Sequence, residues 1–191
     1  MVANTENIGG GNLRKGLWVT AALILLLPLI AMQFTDEVNW KVADFAILGI
    51  LLAGVCATYE IVVRKTGDKA YRAGVAVALL GAFLLFWVNG AVGIIGSENN
   101  DVNMAYFALL AIGILGAFIV RFQSRGMAQV LFAMAMAQAL IAVFAMIAGI
   151  GAPYSGPLEI LMLNGFFIVL FIGSALLFRE AARQDAETGT A

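Results

Sequence analysis

Four polar residues sit inside or at the edge of long apolar runs, where their chemistry would matter most: Asp44, Asn89, Gln138 and Asn164. A carboxylate can hold a cation, and an amide can donate and accept hydrogen bonds at once. Polar groups in hydrocarbon are expensive, which makes them functional suspects. At ~1.5 Å rise per residue, Gln138 falls near the middle of its run. Asn89 and Asn164 fall roughly 6–8 Å outward of the middle, and Asp44 lies further outward still. If all four face inward, they line a polar column open to the outside. Such a column would be a vestibule for a cation or small polar solute, with Asp44 as its charge and Trp87 a candidate for its wall. The same amides suit a second reading, hydrogen bonds between helices worth ~0.6 kcal/mol each. The residues leave both readings open.

Other chemistry has little to work with. The chain has no histidine, so the usual neutral-pH base and the commonest metal ligand are missing. Its one cysteine, Cys56, lies in an apolar run and reads as a small hydrophobe. There is no H-E-x-x-H, no serine with a plausible base and no phosphate-binding glycine loop. The expectation is therefore no catalytic residue, no metal, no cofactor and no enzyme. A proton-coupled carrier would carry a carboxylate or histidine near the midplane, and none is found there. A net charge of -1 gives no reason to expect a nucleic-acid partner.

The elements that would position these residues follow from composition. Hydrophobic residues make up 62% of the 191 and charged residues 12%. A soluble domain is about half apolar and about a quarter charged. The solvent for most of this surface must be lipid. Six runs reach the ~20 apolar residues that a spanning helix needs: 16–32, 40–63, 73–95, 102–120, 127–149 and 158–178. Lipid demands that every backbone group be paired internally, and barrel strands would be half this length and alternate in polarity. The expected fold is an all-α membrane protein, a bundle of six transmembrane helices over 16–178. Residues 1–15 and 179–191 read as flexible cytoplasmic tails. The first run reads as a retained span, because it contains Pro28 and ends without a small-x-small cleavage site.

Basic residues set the orientation. Of the eleven, all but Lys41 fall in the N-terminal tail, the second and fourth connectors and the C-terminal tail. Six spans with both termini inside give this split. Asp36, Glu37, Asp44, Glu98, Asp101 and Glu159 then lie outside. They read as an acidic outer rim, with a cation-attracting mouth or a docking surface for a basic partner as the sharper alternative. Trp18 and Trp40 sit near the inner and outer boundaries, where indole is favoured. Glu60 and Arg64 have the spacing of a helical ion pair.

Small residues permit close helix contact in lipid. In the fifth span Ala128, Ala135, Gln138, Ala142, Ala145 and Gly149 form one narrow stripe, read as a packing seam, with Met134, Met136 and Met146 filling gaps around it. Asn89, Gly93 and Gly96 share a face of the third span, where close packing explains the glycines; Gly113 and Gly116 share one in the fourth. ADFAILGIL and AYFALLAIG hint at an internal repeat, but chains this rich in Ala, Leu and Ile match one another by chance.

Several segments together resemble a family of small polytopic bacterial inner-membrane proteins. They are LLLPLIAMQFTDEVNW (25–40), Asp44–Phe45, Tyr59–Glu60, FLLFWVNGAVGIIGSENN (83–100), and VRF followed by RGMAQ (120–122 and 125–129). The likeness covers most of the chain and is most specific in VNGAVGIIGSENN. It implies a multi-pass protein of the bacterial inner membrane and carries over no catalytic residue. The expected function is a non-enzymatic membrane protein, an accessory or stabilising subunit, with a small transporter or channel as the alternative. The expected partners are the lipid bilayer and either another membrane protein or a second copy of the chain.

Overall fold

The computed structural model describes residues 3–35 and 38–189, with side chains from residue 15 onward. Among them every regular element is helical: α1 (Ala3–Ala31), α2 (Val42–Lys65), α3 (Lys69–Ala91), a 3-10 turn (Asp101–Asn103) leading into α4 (Met104–Ile119), α5 (Ser124–Ala148) and α6 (Pro157–Thr188). Five are long and apolar enough to cross a membrane: α2, α3, α4 with its 3-10 turn, α5 and α6. The apolar stretch of α1 within the described side chains, Lys15–Ala31, is shorter. Large apolar side chains such as Ile119, Ile147 and Val169 stand exposed. An all-helical chain with such a surface is compatible with an integral membrane protein.

The chain divides into two compact units, Met1–Lys65 and Thr66–Ala191. In the first, α1 and α2 run antiparallel. Trp18 Nε1 donates to Glu60 Oε2 at 3.1 Å, and Arg64 bonds the other Glu60 oxygen, giving the ion pair expected from the spacing. The Cys56 thiol is buried beside the Leu17 carbonyl, 3.9 Å away.

In the second unit α6 packs along both α3 and α5, and α4 packs along α5. Its core is aromatic and aliphatic: Leu85, Tyr106, Phe167, Phe171 and Phe178 are fully buried. Asp68 caps α3, accepting from the Ala70 and Tyr71 amides at 2.7 and 3.1 Å. The Ser174 hydroxyl donates to Gly74 O at 2.7 Å and ties α6 to α3. The stripe predicted on α5 is real: Ala128, Ala135, Gln138, Ala142 and Ala145 are all buried. Gly149 belongs elsewhere. It is exposed and ends α5 in the left-handed conformation at φ 65°. Met134 fills a gap against Gly113 as expected, whereas Met136 is exposed.

Two further expectations need correction. Helix α3 stops at Ala91, so the third span does not run to residue 95. Gly93 and Gly96 are turn residues at φ 74° and 72°, and close helix packing does not explain them. Ile94 and Ile95 keep the stretch apolar, which hides the break from any hydropathy reading. Helix α6 also continues past Phe178 to Thr188, so most of that terminal segment is helical.

Hydrogen bonds tie the elements together at both ends of the second unit. At one, Tyr71 Oη donates to Phe122 O at 2.7 Å and Ser124 Oγ to Asp185 Oδ2 at 2.8 Å. At the other, Gly96 N donates to Ser155 Oγ at 3.1 Å and Asn100 Nδ2 to Ile150 O at 3.1 Å. Lys69, Arg72, Arg121, Arg125 and Arg179 gather at the first end; Glu98, Asp101 and Glu159 gather at the second. In the α4–α5 turn Arg121 and Phe122 both hold positive φ, 53° and 57°, a conformation that costs a non-glycine residue about 1–3 kcal/mol.

The glycine environments give a graded test. A Cβ on Gly126 would stand 2.4 Å from Val120 Cβ, a branched and stiff neighbour. One on Gly113 would meet the thioether of Met134, which can move aside, and one on Gly165 would meet nothing within 4 Å. Gly126→Ala should destabilise the protein by about 1–3 kcal/mol, Gly113→Ala by less, and Gly165→Ala not at all. Melting temperatures in one detergent would check the order.

Candidate functional site

Asp44 lies in the first turn of α2. Its Oδ2 accepts from the Lys41 backbone N–H at 2.7 Å. This is half of a capping box: a side chain three residues into the helix reaches back to the residue that starts it. A carboxylate there also complements the positive end of the helix dipole.

The three amides lie in the second unit, and the structure brings two of them together. Asn164 Oδ1 accepts from Tyr106 Oη at 2.8 Å and from Gln138 Nε2 at 3.2 Å. Its own Nδ2 donates to Ile160 O at 2.8 Å, one turn back on α6. One oxygen thus links α4, α5 and α6. Gln138 is 0% exposed and Asn164 1%.

Asn89 belongs to a second cluster. Its Nδ2 donates to the Asn103 backbone carbonyl at 2.9 Å. The Asn103 side chain organises the non-helical stretch between α3 and α4. Its Oδ1 accepts from Ile94 N at 3.2 Å and Ile95 N at 3.0 Å, and its Nδ2 donates to Ile95 O at 3.2 Å and Ser97 O at 2.8 Å. Four backbone groups that a helix would have paired are paired by one side chain. Gly93 makes room for it, since a Cβ there would lie 2.6 Å from Asn103 Nδ2.

Sequence reasoning passed over Asn103, Tyr106, Ser155 and Ser174. The signal for Asn103 was present in the polar run SENNDVN directly after two spaced glycines. Tyr106 in an apolar run reads as packing, and nothing local names its partner. Two buried acceptors, Asn89 Oδ1 and Gln138 Oε1, have no donor among the described residues. Among the acids of the outer rim, Glu98, Asp101 and Glu159 are exposed at the acidic end of the second unit, and Asp36 and Glu37 lie outside the described residues. A shallow groove of about 390 Å³ is lined by Asp101, Val102, Ala105, Leu140, Ile141 and Phe144. It is mostly apolar, and no amide of the predicted vestibule lines it. Trp87 stacks on Phe83, with ring centroids 6.4 Å apart. Among the described residues no group of three or more Cys, Asp or Glu side chains is placed to hold a metal.

Compared with protein-family models, with curated proteins and with solved structures, the chain matches none.

The hydrogen bonds rank the amides by what each deletion strands. Asn164→Leu leaves the Tyr106 hydroxyl and the Gln138 amide without an acceptor and should cost about 2–4 kcal/mol. Gln138→Leu strands nothing, because Asn164 Oδ1 keeps Tyr106, and should stay within about 1 kcal/mol of the parent. Asn103→Leu strands four backbone groups and should be the most damaging of the three. Reversible unfolding in mixed micelles measures the series; equal losses for Gln138→Leu and Asn164→Leu would contradict this account.

Proposed function

We propose that this chain is a multi-pass protein of a bacterial inner membrane, with both termini cytosolic, acting without catalysis as an accessory or stabilising subunit. The observation that carries this reading is the mutual pairing of Tyr106, Gln138 and Asn164, buried polar groups bonded to one another across three helices. Groups used in this way hold helices in register and do not present themselves to a solute. The segregation of arginine and lysine to one end of the second unit supports the orientation. The partner is another membrane protein or a second copy of the chain.

Purification in a mild detergent should bring down a stoichiometric partner or a defined oligomer. A stable, lone monomer would count against an accessory role. For orientation, in a Cys56→Ala background, Arg125→Cys and Asp101→Cys should react with an impermeant thiol reagent from opposite sides of the membrane. Labelling from the same side would overturn the topology.

A second reading, a small transporter or channel, draws on the two unpaired acceptors, Asn89 Oδ1 and Gln138 Oε1. It requires flux of a cation or small polar solute into liposomes, reduced by Asp44→Asn and Gln138→Leu. Flux unchanged by both substitutions would remove these residues from any pathway.

A further inference from the structure

The basic end of the second unit holds more cations than its carboxylates engage. Asp68 caps α3, Glu180 and Glu187 pair with Arg183, and Asp185 accepts from Ser124. Lys69, Arg121, Arg125 and Arg179 are exposed, and among the described residues none of the four is ion-paired.

Two of these cations flank the α4–α5 turn, whose construction is unusual. Arg121 and Phe122 both take the left-handed conformation that glycine would adopt without strain. The surroundings enforce it. Phe122 N donates to Ala117 O and Arg121 N to Phe118 O, both at 3.0 Å. The Phe122 carbonyl is held by Tyr71 Oη, and its ring meets Phe118 edge-on. The Tyr71 ring in turn packs edge-on against Phe178, with centroids 5.0 Å apart. The turn therefore presents Arg121 on a fixed backbone beside Phe118, Ile119 and Phe122, which are 64%, 79% and 46% exposed. Arg125 follows on the first turn of α5.

Guanidinium groups beside exposed aromatic and aliphatic side chains, at the end of an apolar helix, match a ligand with an anionic phosphodiester and an acyl chain. We propose that the α4–α5 turn is a binding site for an anionic phospholipid, with Arg121 and Arg125 on the phosphodiester and Phe118, Ile119 and Phe122 along the chain below it. A strained, over-determined backbone is a sign that the side chain's placement matters more than the strain it costs. The proposal rests on the chain being a membrane protein.

The test uses the full chain in a mild detergent, titrated with short-chain phosphatidylglycerol and followed by thermal shift and native mass spectrometry. Phosphatidylglycerol should bind saturably, while phosphatidylcholine and inorganic phosphate should not. Arg121→Gln with Arg125→Gln should weaken binding about ten- to thirty-fold. Arg183→Gln, whose parent side chain is already engaged by Glu180 and Glu187, should change it less than about twofold. Arg121→Gly separates binding from folding: it should raise the melting temperature of the lipid-free protein yet lower affinity for phosphatidylglycerol. Equal binding of phosphatidylcholine, competition by inorganic phosphate, or unchanged affinity in the double variant would overturn the site. Extraction of the chain from membranes by alkaline carbonate would instead remove the membrane reading on which the site rests.

Discussion

Asn164 Oδ1 accepts two hydrogen bonds, from Tyr106 and from Gln138, and through it three helices acquire a common register. In water such a link would be one of many. For a chain in lipid its weight would be different, because hydrocarbon is as apolar as leucine and sets no preference for one apolar face over another. Small residues let α4 and α5 approach, as Gly113 does against Met134 and Gly116 against Val130. That approach alone would tolerate sliding by a turn. Directional bonds do not tolerate it, since a shift of one turn would leave a buried hydroxyl and a buried amide unpaired. The specificity of the second unit therefore comes from few groups, and its cohesion from many.

The same constraint explains the segment between α3 and α4. Buried non-helical backbone persists only where something replaces the helical hydrogen bonds. Asn103 does this for Ile94, Ile95 and Ser97, and Asn89 pairs the carbonyl of Asn103 itself. Gly93 and Gly96 allow the chain to turn closely enough around the side chain. The two isoleucines, almost fully buried, then cover the cluster. Further out, Ser155 and Asn100 join this segment to the stretch between α5 and α6, so the acidic end closes as one connected piece.

Much of this was legible from residue types because it is local. The number of long helices and the α5 seam follow from composition and period, although only five of the six expected spans are long and apolar enough to cross a membrane, and the Glu60–Arg64 pair follows from its spacing. The end of α3 was not legible. Backbone conformation at Gly93 and Gly96 leaves no trace in hydropathy, and Ile94–Ile95 actively mask it. For the candidate site, the sequence singled out Gln138 and Asn164 but could not pair them, since they lie 26 positions apart, and Tyr106 lies 58 from Asn164. Asp44 shows the opposite case. Its place three residues into α2 was a readable capping signal, overshadowed by the attention that any carboxylate draws beside a membrane span.

The two unpaired acceptors follow from the same geometry. The Asn164 amide is fixed in one orientation, because its Nδ2 must face the Ile160 carbonyl and its Oδ1 the Tyr106 hydroxyl. Gln138 then meets an oxygen and must offer its NH₂ group, which leaves Oε1 without a donor among the described residues. Exchanging the O and N of Gln138 would set two acceptors against each other. Asn89 is bound by the same logic, since it faces the Asn103 carbonyl and must present Nδ2 there. Neither orphan can be cured by reassigning its amide. Each is the remainder left when an uncharged group with both donor and acceptor is used for only one of them. A carboxylate or ammonium in these positions would cost far more to bury than an amide with one idle oxygen. That difference accounts for a core whose polar members are Asn, Gln, Ser and Tyr, with formal charge kept to the helix ends.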